Sequence, residues 1–150
     1  MAIRMYKKED YDNIVNVCLD TEDLNEHKTP INQYIKLMLC RYYIEKEPEN
    51  CLVVTDDNDK AVGYVYGASD YDTYHKNMEE YLMGISEVSY GKYVPDAYVE
   101  MYNHYIYKDE YPAHLHIDIF GSHRSKGYGS DMIKAFCNNL KNKGIKGVML

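Results

Sequence analysis

Apolar and polar positions follow two different periods along this chain. Residues 2–6 (AIRMY) have the character of a short strand. Residues 9–20 place Tyr11, Ile14, Val15, Cys18 and Leu19 at helical spacing. Thr29 is placed to cap the next helix, with Pro30 at its first position. Ile31, Tyr34, Ile35, Met38, Leu39 and Tyr42 then form an apolar stripe that Pro48 must end. Cys51–Thr55 and Ala61–Ala68 flank the turn-rich DDNDK, which predicts an antiparallel hairpin. Segment 70–110 shows less contrast. It predicts two helices near 71–83 and 95–106, joined by a loop rich in Gly, Ser and Tyr. Residues 113–120 (AHLHIDIF) alternate as a strand. Gly127 to Lys143 predicts a helix with Met132, Ile133, Phe136, Cys137 and Leu140 on one stripe. Gly144 suits its C-cap, and Lys141 and Lys143 suit the negative end of its dipole. KGVML (146–150) begins a further strand, and the chain stops inside it. The predicted order is β-α-α-β-β-(α-α)-β-α-β, an α/β (α+β) domain, with no internal repeat.

Composition narrows the reading. The 150 residues suit a single domain over 1–150. Twenty-four acids against 17 Lys and Arg give a net charge of -7, which disfavours nucleic acid as a partner. The balance is uneven. Residues 111–150 hold six bases and two acids, whereas residues 1–110 hold 11 bases and 22 acids. A basic end beside an acidic body fits an anionic ligand at one end and a cationic one elsewhere; a merely solvated acidic surface is the plain alternative. The cysteines, Cys18, Cys40, Cys51 and Cys137, form no C-x-x-C pair and have apolar neighbours. They are expected as reduced, mostly buried thiols of a cytoplasmic protein. The N-terminus lacks a signal-peptide pattern, and no apolar run is long enough to cross a membrane.

The chemistry concentrates in HLHIDIFGSHRSKGYGSD (114–131), a strand, a loop and a helix start. Glycines let backbone approach a ligand closely, and the first N–H groups of a helix favour anions. Arg124 and Lys126 add full positive charges, so the loop has the makings of a pyrophosphate cradle. The P-loop order is absent, because Lys126 precedes Gly127. The dinucleotide fingerprint is also absent, because Met132 stands where its third glycine belongs. R-x-x-G-x-G is present as Arg124-Ser125-Lys126-Gly127-Tyr128-Gly129.

Here the chain resembles the GNAT superfamily of acetyl-CoA-dependent N-acetyltransferases, over essentially its whole length. YPAHLHID (Tyr111–Asp118) is more loosely similar to bacterial GNAT proteins related to the acetyltransferase-like domain of O-GlcNAcases. The resemblance implies a mixed, mostly antiparallel central sheet with helices on both faces. It implies acetyl-CoA as cosubstrate, no metal, and a small-molecule or peptidyl amine as acceptor. Backbone amides of Arg124, Ser125, Lys126, Gly127, Tyr128, Gly129 and Ser130 would hold the pyrophosphate. The backbone of Ile117 to Ile119 would pair with the pantetheine arm. Ser125 departs from the pattern where a glycine is common, and Gly121 where a proline is common. The family fold continues beyond KGVML with a helix and two strands, so the domain is expected to be C-terminally incomplete. An open sheet edge there invites a second copy, hence a possible homodimer.

His114, His116 and Asp118 share one face of the strand. Three readings stand open for that face: hydrogen bonding to neighbouring Tyr hydroxyls, a wet acceptor pocket, or a metal site from H-x-H-x-D. As an acceptor pocket it would support direct attack of a neutral amine on the thioester. Asp118 is the first choice of proton acceptor and His116 the second. A backbone N–H near Ile119 would steady the oxyanion. Tyr105, Tyr107 and Tyr111 are candidates to protonate the thiolate, with Tyr111 carried as a catalytic residue. His27, His75, His104 and His123 stand alone in the sequence. The competing functions are a non-catalytic acyl-CoA-binding domain and a metal-dependent hydrolase using His114, His116 and Asp118. Twelve of the 18 tyrosines lie between Tyr64 and Tyr111, which suggests a damp aromatic lining on the acceptor side.

Overall fold

The computed structural model describes residues 1–150. Five strands form one sheet in the order β1 (Ala2–Met5), β2 (Cys51–Thr55), β3 (Ala61–Ala68), β4 (Ala113–Ile119) and β5 (Val148–Met149). The first three pairings are antiparallel and β4–β5 is parallel. The hairpin β2–β3 falls where the DDNDK turn predicts it. Asp59 takes a positive φ in that turn.

Helices cover both faces, as expected. On one face lie α1 (Tyr11–Leu19), α2 (Pro30–Lys36), α3 (Tyr42–Lys46), α4 (Tyr71–Asn77), α5 (Glu79–Ser89) and α6 (Val94–Tyr105). The other face is covered by α7 (Tyr128–Asn142), whose Met132, Phe136 and Leu140 meet Leu52, Val54, Val65 and Leu115. Thr29 caps α2 through its hydroxyl, which accepts from the Asn32 N–H at 3.3 Å, with Pro30 at the first position. These two residues do what their types predict.

Two elements depart from expectation. Segment 71–105 holds three helices, because the chain turns at Met78 between α4 and α5. Met78 is fully buried there, so the junction is a packed corner rather than a loop. The stripe starting at Ile31 runs through a π-helical segment, Leu37–Arg41, that joins α2 to α3. One added residue in that turn rotates the facing of the helix beyond it. Tyr42 and Tyr43 are then both fully buried, although adjacent in sequence. Tyr43 stacks on Tyr66 of the sheet, with centroids 5.1 Å apart. Tyr42 meets the ring edges of Tyr74 and Tyr81 on α4 and α5. The Leu39 carbonyl within the π turn accepts the Tyr66 hydroxyl at 2.6 Å.

The tyrosines therefore divide differently from the sequence expectation. Tyr42, Tyr43, Tyr64, Tyr66, Tyr71, Tyr74 and Tyr81 are buried in the packed core. Many of their hydroxyls reach internal partners, such as Glu47 for Tyr42 at 3.0 Å and Glu45 for Tyr81 at 2.7 Å. Tyr98, Tyr102 and Tyr105 lie exposed on α6 beside a shallow groove of about 390 Å³ that Tyr71 and His75 also line. Of the twelve between Tyr64 and Tyr111, five are core and six are exposed, Tyr90 almost wholly, so the cluster is not the wall of a single pocket. The cysteines are free; Cys40 and Cys51 are buried and the other two half-buried. No helix is long and apolar enough to cross a membrane.

Candidate functional site

The loop after β4 is built by its backbone. Phe120 makes the last sheet bond, its N–H donating to the Val62 carbonyl at 2.8 Å. A short 3-10 turn, Gly121–His123, leads into extended Arg124. Ser125 (φ 67°) and Gly127 (φ 82°) both occupy the left-handed region. Glycine reaches that region freely, whereas a serine is strained there. This is a physical reason for glycine to be common at such a position, and nothing in the structure explains the serine. Gly127 caps α7 without any side-chain hydrogen bond. As a result no backbone N–H from Ser125 to Ser130 donates to a protein acceptor. These donors open to solvent at the positive end of a 15-residue helix, beside Arg124 and Lys126.

The edge of β4 supplies a second surface. Asp118 and Phe120 bond toward β3, so the alternation turns the main-chain groups of Leu115, Ile117 and Ile119 the other way. β5 pairs there only with Ala113 and His114. The edge beyond is open, except at Ile119. The Ile119 N–H donates to Asp118 Oδ1 at 2.7 Å, and its carbonyl accepts from Arg124 Nε at 2.7 Å. Arg124 Nη2 closes the ring by donating to Asp118 Oδ1 at 3.1 Å. Asp118 is thus an ion-paired latch across the strand end, not the free carboxylate its position in the sequence suggested.

The other named residues fall in separate places. His116 sits half-buried on the core face, its Nε2 3.0 Å from the Tyr43 hydroxyl. Tyr111 precedes the opposite end of β4, roughly 20 Å from Asp118 at the rise of a strand, and packs against Gly147. Asp118, His116 and Tyr111 share no hydrogen bond, so the structure does not unite them as one catalytic group. The loop itself, through Phe120, Ser122 and His123, lines a polar cavity of about 240 Å³ with Asn13, Asn16, Glu22, Asp56 and Lys60. Its acids are Glu22, in the loop after α1, and Asp56 of the hairpin turn, and Glu22 pairs with Lys60 at 3.0 Å.

One group escaped the sequence reading. His104, which stands alone in the sequence, stacks on His114 with centroids 3.8 Å apart and planes within 6°. Both of its ring nitrogens are buried without a hydrogen-bond partner. The Tyr43 hydroxyl also lies 2.8 Å from His114 Nε2, so it bridges His114 and His116. Glu100 Oε1 lies 3.5 Å from His104 Nε2. Burial, and then the neighbouring histidines, push His114 well below the usual imidazole range. Burial and His104 push His116 down to about 4, against the pull of Glu100. Both rings are neutral at pH 7. The available signal was spacing on α6, where Ala97, Met101 and His104 share the buried stripe.

Sheet order, strand directions and the β4–loop–α7 unit together define a GNAT-like fold. The crystal structure of SsHAT superposes on it with a TM-score of 0.78, at 22% identity, over 99% of this chain and 81% of that one. At that identity the likeness is one of fold. No known protein family's sequence profile matches the chain, and no curated protein matches it.

Proposed function

We propose that this protein is an acetyl-CoA-dependent N-acetyltransferase that passes an acetyl group directly to a primary amine. The observation that carries the reading is the run of free backbone N–H groups from Ser125 to Ser130, between Arg124 and the head of α7. Such a run suits the oxygens of a pyrophosphate. The open edge at Ile117 and Ile119 suits an amide-bearing arm, which adds to a sheet as a strand does. Kinship to GNAT proteins related to O-GlcNAcases, carried by Tyr111–Asp118, belongs to the same proposal. So do a cytoplasmic location and a small-molecule or peptidyl acceptor.

Arg124 links the two surfaces. Its guanidinium holds Asp118 and the Ile119 carbonyl. A pyrophosphate carries more negative charge and draws the guanidinium toward itself. That exchange releases the Ile119 carbonyl to the pantetheine arm and loosens Asp118 from the Ile119 N–H. Asp118 then attracts the cationic acceptor; the amine loses one proton to solvent, its neutral nitrogen attacks the thioester carbon, and Asp118 takes the second proton, directly or through water. The released Ile119 N–H donates to the oxyanion, and sulfur departs as thiolate. His116, held on Tyr43, and Tyr111, at the far strand end, take no part in these steps. Asp56 adds an acid beside the loop that favours a cationic acceptor, Glu22 being paired with Lys60.

Calorimetry with acetyl-CoA and release of free thiol with a panel of amines test the proposal. Asp118→Asn is expected to lower turnover at least tenfold with little change in acetyl-CoA affinity. Unchanged turnover removes Asp118 from the mechanism, and no acetyl-CoA binding at millimolar concentration overturns the whole reading. The separation of Asp118, His116 and Tyr111 favours a second reading, an acyl-CoA-binding domain without turnover. Binding with no thiol release from any amine would select it.

A further inference from the structure

We infer that His104, His114 and His116 form a binding site for a divalent transition metal ion of the zinc type. One ring nitrogen from each lies within 4.8 Å of the other two, and His104 and His114 are buried. Imidazole is the ligand that zinc, cobalt, nickel and copper share. The inference does not depend on acetyl transfer, because none of the three residues has a role in the steps above.

Two observations point to an absent partner. A buried polar group left without a hydrogen bond destabilises the fold, and both ring nitrogens of His104 are such groups. His114 and His116 both aim Nε2 at a single point, now held by the Tyr43 oxygen at 2.8 and 3.0 Å. The hydroxyl has one proton, so it donates to one ring and accepts an N–H from the other; an ion entering there displaces that N–H proton and takes both Nε2 atoms. Glu100, 3.5 Å from His104 Nε2, stands where a carboxylate orients a metal-bound histidine through its second nitrogen. It also supplies negative charge in a buried place.

The site must close on its ion. Zinc bonds of about 2.0–2.1 Å in a tetrahedron place ligand atoms about 3.4 Å apart, closer than the widest spacing here. The parallel rings of His104 and His114 aim their in-plane lone pairs side by side, so one ring must tilt. His104 is the ring free to do so, since no hydrogen bond holds it.

The test is titration of chelator-treated protein with Co²⁺ and then Zn²⁺, each added both to folded protein and during refolding. One bound equivalent is expected, with a visible Co²⁺ band that Zn²⁺ removes and a rise in Tm. His104→Phe keeps a ring in the space and removes the unpaired nitrogens. It is expected to weaken metal binding at least about tenfold and to leave the metal-free protein as stable as before, or more so. His116→Gln, at a less buried position, should lose the band equally and serves if His104→Phe does not fold. His75→Ala, on the surface of α4, should keep it. Uptake below about a tenth of an equivalent by the parent protein, or parent-like affinity in both cluster variants, overturns the inference.

Discussion

Asp10 shows how a single residue can matter more than its charge count suggests. It is buried, and its carboxylate takes both Arg4 Nη atoms at 2.8 and 3.0 Å and the Lys7 N–H at 2.8 Å. Burial pushes its carboxyl up, but the Arg4 and Lys7 hydrogen bonds outweigh that and hold it below the usual range. Its folded pKa thus lies below its unfolded value near 3.9. The stabilisation is complete above about pH 4 and is lost as pH falls through the folded value. Asp10→Asn is expected to lower stability by about 1.5–3 kcal/mol at pH 7. Urea unfolding across pH should show parent and variant converging in acid. Tyr43→Phe tests a different kind of residue. It strips the shared partner from His114 and His116 and should cost about 1–3 kcal/mol in the same assay. A change below half a kilocalorie per mole would mean that water replaces the hydroxyl readily.

At the scale of elements, β4 and its loop do two jobs on two faces. Gly67 of β3 lets β4 approach so closely that a Cβ there would overlap the His114 carbonyl and crowd Phe136 of α7. Gly67→Ala is expected to cost about 3 kcal/mol by separating the strands, seen as a lower Tm. The loop tests the opposite case. Ser125 already sits at φ 67°. Ser125→Gly should be neutral or stabilising by up to about 1 kcal/mol, whereas Ser125→Val should destabilise by about 1–2 kcal/mol. If the left-handed turn shapes the cradle, Ser125→Val also weakens acetyl-CoA binding in calorimetry. Equal affinity in all three proteins would detach the loop from the cofactor. The π segment Leu37–Arg41 belongs at this scale too, because it delivers Tyr43 to the histidines and frees the Leu39 carbonyl for Tyr66.

Across the whole molecule the net charge of -7 opposes an anionic cofactor, whereas the basic C-terminal portion attracts it. The Debye length of about 10 Å at 0.1 M salt makes the local charges the stronger influence. Acetyl-CoA affinity should therefore fall as salt rises from about 0.05 to 0.5 M, a range that spans this screening length. An affinity that rises instead would show that the acidic body dominates. Much of this organisation was legible in the sequence. The hairpin, the capped start of α2, the β4 alternation and the loop before α7 each carry a local signal: a turn, a cap, a period of two, a glycine pair. Such signals depend on neighbours a few residues away, so a linear reading reaches them. Other features depend on distant neighbours. Nothing near Asp118 announces that Arg124 folds back onto it. Nothing near His104 announces His114, ten residues and one helix end away in the chain. Burial of the adjacent Tyr42 and Tyr43 follows a helix wound by one extra residue just before them. Sequence determined the elements and their order, because periodicity and capping are local. Tertiary structure alone decided which side chains meet, and so paired Asp118 with Arg124 and made a solitary histidine one of three.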